Sequence, residues 1–143
     1  MATITLAADS TTVVLNGTAI VDFVEGDVVT LAPVNPSTSH VNSIGGGVNI
    51  NERSDKGVYD MTLRVQRFSE SDAFLNNINR QSPPIVINGS AKEAYNRDGD
   101  EGEESWLLES GSITTQPTST KNSTDGNAVS EYMIRFRNAS RNL

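Results

Sequence analysis

Residues 57–78 read GVYDMTLRVQRFSESDAFLNNI, and the spacing of their apolar residues changes part-way along. In the first half Tyr59, Met61, Leu63 and Val65 alternate with Asp60, Thr62, Arg64 and Gln66. Successive side chains of a strand point to opposite faces, so this alternation predicts a strand with an apolar inner face and a polar outer one. After Ser69 the pattern changes: Phe74, Leu75 and Ile78 fall on one face of a helix. Ser69 suits an N-cap, and Asp72 three residues later makes a variant of the capping box. Arg80 falls at the negative end of the helix dipole, and Pro83-Pro84 forbid continuation. A helix over about 69–81 with a single apolar stripe is too short to stand alone and is expected to pack on a sheet.

The same reading extends outward from this stretch. In SEYMIRFRN, residues 130–138, Tyr132, Ile134 and Phe136 point inward and Glu131, Arg135 and Arg137 outward. Weaker strand patterns cover 3–7, 12–15, 19–24, 27–33, 48–53, 85–94 and 105–115. Asn16-Gly17 has the chemistry of a two-residue hairpin turn, since both positions tolerate positive φ. The expectation is a mainly β, sandwich- or barrel-like single domain over 1–143 with one helix. Tyr59, Met61, Leu63, Val65, Phe74, Leu75, Ile78, Tyr132, Ile134 and Phe136 are expected to share one core. Two stretches, 34–47 (VNPSTSHVNSIGGG) and 116–127 (QPTSTKNSTDGN), are polar and unperiodic. Loops of that length are functional or disordered. They are expected to be disordered in a monomer and ordered against neighbours in an assembly.

The chain has 143 residues, no Cys and 36 % hydrophobic residues. Disulfides, thiolate metal sites and a Cys nucleophile are therefore excluded. The first residues lack a basic segment followed by an apolar run, and no run approaches the roughly 20 apolar residues of a membrane-spanning helix. A soluble chain made in the cytosol, with no membrane partner, is the expectation. The formal charge is −7, and it is concentrated. Between 93 and 109 seven acids stand against Arg97, a sum of −6 that leaves −1 for the rest. Such a chain lacks the clustered Lys and Arg of a protein that grips phosphates.

The acidic centre, NRDGDEGEES at 96–105, fits a calcium loop in part: Asp98, Asp100 and Glu109 take positions one, three and twelve. Gly102 and Glu103 at five and six break the pattern, and strands rather than helices flank it. A solvated acidic hairpin is the plainer reading. His40 is the single histidine and has no acid partner nearby, so it is read as a surface residue. Gly45–Gly47 lack the Lys-Ser and following helix of a phosphate loop. Asn16, Asn88, Asn122 and Asn138 head Asn-x-Ser/Thr triplets, which chance supplies in so Asn- and Ser-rich a chain. No catalytic constellation, cofactor site or metal site emerges, and an enzyme is not expected. A β domain with polar loops, strand edges and little chemistry points to a subunit of an assembly.

The order of features, VEGDVVTLAPV, a polar loop ending IGGGVNI, then the strand running into a Ser-capped helix, resembles bacteriophage tail tube proteins. The similarity is closest to those of contractile, Mu-like tails and spans roughly residues 15–95. The resemblance implies a structural virion protein whose hexameric rings form a continuous inner β-barrel, with the helix outside. The rings stack into a tube for genome ejection. Tail sheath, baseplate hub and tail terminator are the implied partners, and the virion tail, assembled in the host cytoplasm, the implied location. DNA would pass without specific binding, which a neutral to negative wall favours.

On that reading Asn49, Asn51, Asp60, Thr62 and Gln66 face the lumen, with 48–53 taken as the strand beside 57–68. Arg53 and Arg64 are expected to be neutralised by Asp60, Glu52 or Asp55. Residues 34–56, including Ser37, His40, Asn42, Arg53 and Asp55, are assigned to contacts between rings. Asp98, Asp100, Glu101, Glu103 and Glu104 line either the lumen or an inter-subunit surface. The latter is favoured, against Arg135, Arg137 or Arg141 of a neighbour, because a long hairpin would obstruct the bore. A monomeric β-sandwich binding carbohydrate or calcium is the alternative, and Trp106 its one candidate aromatic anchor.

Overall fold

The structure, a computed structural model, describes residues 1–7, 10–124 and 126–143. It is mainly β with one helix. The elements are β1 (Ile4–Leu6), β2 (Thr12–Leu15), β3 (Thr18–Ile20), β4 (Val29–Pro33), β5 (Thr38–Asn42), β6 (Val48–Glu52), β7 (Tyr59–Gln66), α1 (Glu70–Asn79), β8 (Ile87–Arg97), β9 (Asp100–Thr115) and β10 (Val129–Asn142). The strand-to-helix junction lies where the sequence places it, with Ser69 as N-cap.

Eight strands form one antiparallel sheet in the order β3-β2-β8-β9-β10-β7-β4, and β1 pairs with the far end of β8. β10 holds it together. One edge pairs with β7 over Val129–Phe136, and the other with β9 from Met133 to Asn142. The sheet is not closed. Residues 19–24, expected as one strand, divide instead: Ala19 and Ile20 pair with β2, whereas the Gln66 N–H donates to the Asp22 carbonyl at 2.7 Å and the Val24 N–H to that of Arg64 at 3.3 Å. The chain thus crosses from one border of the sheet to the other and curls it around its apolar face.

That face is the core. Val13, Leu15, Met61, Leu63, Val65, Ile87, Leu108, Tyr132, Ile134 and Phe136 are fully buried, and Leu75 and Ile78 of α1 close over them. Tyr59 and Phe74 pack against the same cluster at its margin. All ten residues expected to share a core therefore do so, with the register of β7 as anticipated.

The first turn of α1 is tied to the sheet by hydrogen bonds. Asp72 accepts from the Tyr132 hydroxyl at 2.7 Å, the Ser130 hydroxyl at 3.1 Å and the Phe68 N–H at 2.9 Å. Ser69 Oγ accepts from the Asp72 N–H, completing a capping box whose acid also reaches across to β10. The neighbouring Ser71 donates its N–H to Asp22 Oδ2 and accepts the Val21 N–H. Burial, with the bond to Asp72 adding to it, pushes the Tyr132 hydroxyl pKa up. Among the described residues no buried side-chain polar atom lacks a partner.

Two elements differ from expectation. Residues 34–47 are not wholly loop, because β5 pairs with β6 in a separate two-stranded sheet, Thr38 opposite Glu52 through Asn42 opposite Val48. The sequence conceals β5 because its residues are exposed or half-buried and leave no apolar alternation. The acidic stretch forms the expected hairpin, but its strands run further than the 85–94 and 105–115 patterns: β8 and β9 reach Arg97 and Asp100 and close through Asp98 and Gly99, both at positive φ.

Truncating Leu63 to Ala should cost about 2–5 kcal/mol, as for other fully buried leucines. Asp72→Ala should cost about 1–3 kcal/mol or more by orphaning its donors. Chemical denaturation of both variants measures this, and an Asp72→Ala chain as stable as the parent would contradict the anchoring role.

Candidate assembly surfaces

The face of the sheet opposite the core is polar and internally neutralised. On β7 it presents Asp60, Thr62, Arg64 and Gln66, and on β10 Glu131, Met133 and Arg135. Asp60 and Arg135, directly opposite in the register, form a bidentate pair at 2.8 and 3.1 Å. The hydrogen bond from Arg135 holds the Asp60 carboxyl below the usual carboxylate range. Arg64 lies opposite Glu131 with 3.9 Å between charged atoms. Cross-strand neighbours of opposite charge attract while showing little net field to an approaching ion.

These pairs correct the expected partners. Arg64 is matched by Glu131, not by Asp60, Glu52 or Asp55, and Asp60 is taken by Arg135. Arg53 does find an expected acid, Asp55 at 2.9 Å, and that bond lowers the Asp55 pKa. Arg135 and Arg141 are paired within their own chain, the latter with Glu104 at 2.7 Å. Neither is a free cation for a neighbour's acids. Arg137, between Phe136 and Asn138 on β10, is exposed and makes no ion pair among the described residues.

The residues assigned to the lumen also divide. Asp60, Thr62 and Gln66 lie together on the polar face. Asn49 and Asn51 do not, because β6 pairs with β5 and is not the neighbour of β7. They sit on the β5–β6 arm, paired with Val41 and Ser39. That arm carries Ser37, His40 and Asn42, and its base is closed by the Arg53 N–H donating to the Ser37 carbonyl at 3.0 Å. Glu52 and Lys56 bridge beside it at 2.7 Å. Val41, Val48 and Ile50 are exposed on its two faces, and Ile44 at the apex is fully exposed. The sequence patterns identified the polar composition but not this apolar content.

The acidic ribbon at the other end of β8 and β9 carries Asp98, Asp100, Glu101, Glu103 and Glu104. A strand rises about 3.3 Å per residue, so Glu109 lies about 30 Å along β9 from Asp100, too far to share a calcium ion. Among the described residues no group of three acids, His or Cys is placed to hold a metal. Trp106, the candidate sugar anchor, is half-buried, edge-on to Tyr59 at 5.1 Å, and donates to Glu104 at 3.1 Å. It belongs to the core margin. The 116–127 segment, of which Asp125 lies outside the described residues, has no regular structure but is tethered. Arg67 donates to the carbonyls of Thr120 at 3.3 Å and Asn127 at 3.4 Å.

No protein-family model matches this sequence, and no curated protein sequence matches it. Solved structures do. A chain of the PVC extracellular contractile injection system sheath–tube complex in the extended state superposes with a TM-score of 0.68 at 14 % identity, covering 96 % of this chain and 91 % of that one. The fold is tail-tube-like. A chain of the sheath/tube terminator of the same kind of system gives 0.65 at 15 % identity, covering 97 % of both chains. A chain of the anti-feeding prophage tube-terminating cap gives 0.65 at 15 %, covering 96 % and 91 %. The likeness runs nearly end to end, beyond the 15–95 stretch that carries the sequence resemblance. These neighbours belong to injection systems rather than to Mu-like phage.

The Asp60–Arg135 pair sets a pH test. A depressed carboxylate pKa adds stability above the unfolded value, near 4, which is lost as pH falls through the lower folded value. Asp60→Asn should therefore be less stable than the parent at pH 7, with the difference disappearing near pH 2. Equal denaturation midpoints at pH 7 would show that the pair contributes nothing.

Proposed function

We propose that the chain is the repeating structural subunit of a tail tube, stacking as hexameric rings into a conduit. The observation that carries this is the fold likeness over 96 % of the chain to a component of a sheath–tube complex. A non-enzymatic role fits the absence of any catalytic constellation in the sequence. Sheath, baseplate hub and tube terminator are the partners such a tube requires, and a contractile, Mu-like virion tail assembled in the host cytoplasm is the setting proposed from the sequence resemblance.

In the proposed ring the polar face of β7 and β10 lines the bore. A conduit for DNA must not bind phosphates, so each cation on its wall needs an acid beside it. The Asp60–Arg135 and Arg64–Glu131 pairs supply this, and Thr62 between them and Gln66 beyond Arg64 are polar but uncharged. The same surface would let other cargo slide, so the proposal for the wall does not depend on the cargo being a genome. The exposed borders at β4 and β1 are left for strands of adjacent subunits, which removes the hazard of open edges. The acidic ribbon fits a contact between subunits.

The β5–β6 arm is assigned to contacts between rings. It is a two-stranded sheet separate from the main one, and its apolar residues Ile44, Val48 and Ile50 are uncovered in the single chain. Replacing residues 38–52 by a two-residue turn leaves the core intact, since none of its members lies there. The shortened chain should fold with an unchanged core but form no tubes. Tubes of normal length in electron micrographs of this variant would refute the assignment.

A further inference from the structure

Phe68, between β7 and the helix cap, combines two costs. Its φ is +66°, a left-handed conformation that is strained for a bulky residue, and it is 84 % exposed. It is not a hydrophobic staple for the helix, since the position it would pack against is Ala73, itself exposed. Its N–H is held by Asp72 Oδ2 at 2.9 Å. In that conformation the ring lies against the Arg67 guanidinium, whose Cζ is 4.6 Å from the ring centroid. A strained aromatic that packs on no core needs a reason, and the Arg67 side chain supplies one.

Arg67 stands at the neck of the connection between β9 and β10. Its N–H donates to the Ala128 carbonyl at 2.9 Å, one step beyond the Val129–Gln66 rung. Its guanidinium donates to the carbonyls of Thr120 at 3.3 Å and Asn127 at 3.4 Å, and to Ser119 Oγ at 3.4 Å. One residue therefore grips both limbs of the connection. Gln116, Thr118, Thr120 and Asn127 line a cavity of about 370 Å³ together with Arg64 and Glu131. The connection thus borders the outer face of the sheet at one of its two ion pairs. None of its described residues belongs to the core.

We propose that Arg67 and Phe68 form a clasp that holds residues 116–124 as a strap beside the outer face. The strain at Phe68 is retained because it keeps the ring over the guanidinium. A guanidinium open to water loses neutral acceptors easily, since water competes for each N–H. A ring against one side of it excludes water there and attracts the cation. The strap buries no core residue, so its release is a local opening that leaves the sheet folded. The clasp is a property of the single chain, and only its setting beside a bore rests on the tube reading. There, opening the clasp would bare the Arg64–Glu131 pair to whatever passes.

Limited digestion of the folded protein with trypsin tests this, because Lys121 lies in the strap and is exposed. In Phe68→Gly, cleavage after Lys121 should be at least about tenfold faster than in the parent. Its melting temperature should equal or exceed the parent's, since Gly adopts the left-handed conformation without strain. Phe68→Asn, which tolerates that conformation but has no ring, should behave alike, so that the effect is not one of Gly flexibility. Phe68→Trp keeps a ring and should keep the slow cleavage. Arg67→Lys, without the planar fork, should be cleaved fast. Cleavage at the parent's rate in Phe68→Gly, or a lower melting temperature with cuts spread along the chain, overturns the clasp. So does a parent cut after Lys121 as fast folded as unfolded in urea. Slow, ring-dependent cleavage in a parent that never forms tubes supports the clasp and sinks the tube reading alone.

Discussion

The carboxylate of Asp72 joins the helix cap, the β7–α1 turn and the central strand β10 through three donors. Next to it, Ser71 ties the same helical turn to residues 21 and 22, where the chain crosses from the β3 border to the edge of β7. One turn of helix therefore sets how far the sheet curls. The apolar alternation decides which face of β7 and β10 turns to the core, and the helical turn holds Leu75 and Ile78 over it. Each donor alone contributes modestly. Together they remain satisfied only if helix, corner and β10 hold one arrangement, so the polar network specifies geometry as much as it adds stability.

With the apolar face turned in, the outer face follows from register. Antiparallel pairing brings Asp60 against Arg135 and Arg64 against Glu131, so the charges cancel across strands without burial. A surface of this kind is wet and holds few unmatched charges, which suits a wall that something slides past. The exposed apolar residues and the concentrated charge of the molecule lie elsewhere, on the β5–β6 arm, at Phe68 and along the acidic ribbon. Separating a slippery face from sticky ends is what the proposed tube requires of its subunit.

How much of this was legible in the sequence depended on whether local spacing carries the information. The alternation at 59–65 and the cap at Ser69 are local consequences of burial on one face, and both lie where the pattern put them. β5 was missed because an arm that buries nothing has no reason to alternate. The adjacency of β6 and β7 was misjudged because nearness in sequence substituted for topology, whereas β6 pairs with β5 in an arm of its own. Ion pairs divide the same way: Arg53 and Asp55 are two residues apart and were foreseen, whereas Arg64 and Glu131 meet only through the β7–β10 register. The pairing of β1 with β8 was invisible, since it joins Ile4 and Leu6 to Arg97 and Tyr95 across most of the chain.

The most direct test of the account is cryo-electron microscopy of the purified protein at high concentration, at sufficient resolution to trace β7 and β10. The account predicts stacked hollow rings with Asp60, Thr62 and Gln66 toward the bore and the Asp60–Arg135 pair intact on its wall. A protein that remains monomeric, or rings whose bore is lined by unpaired Arg and Lys, would contradict it.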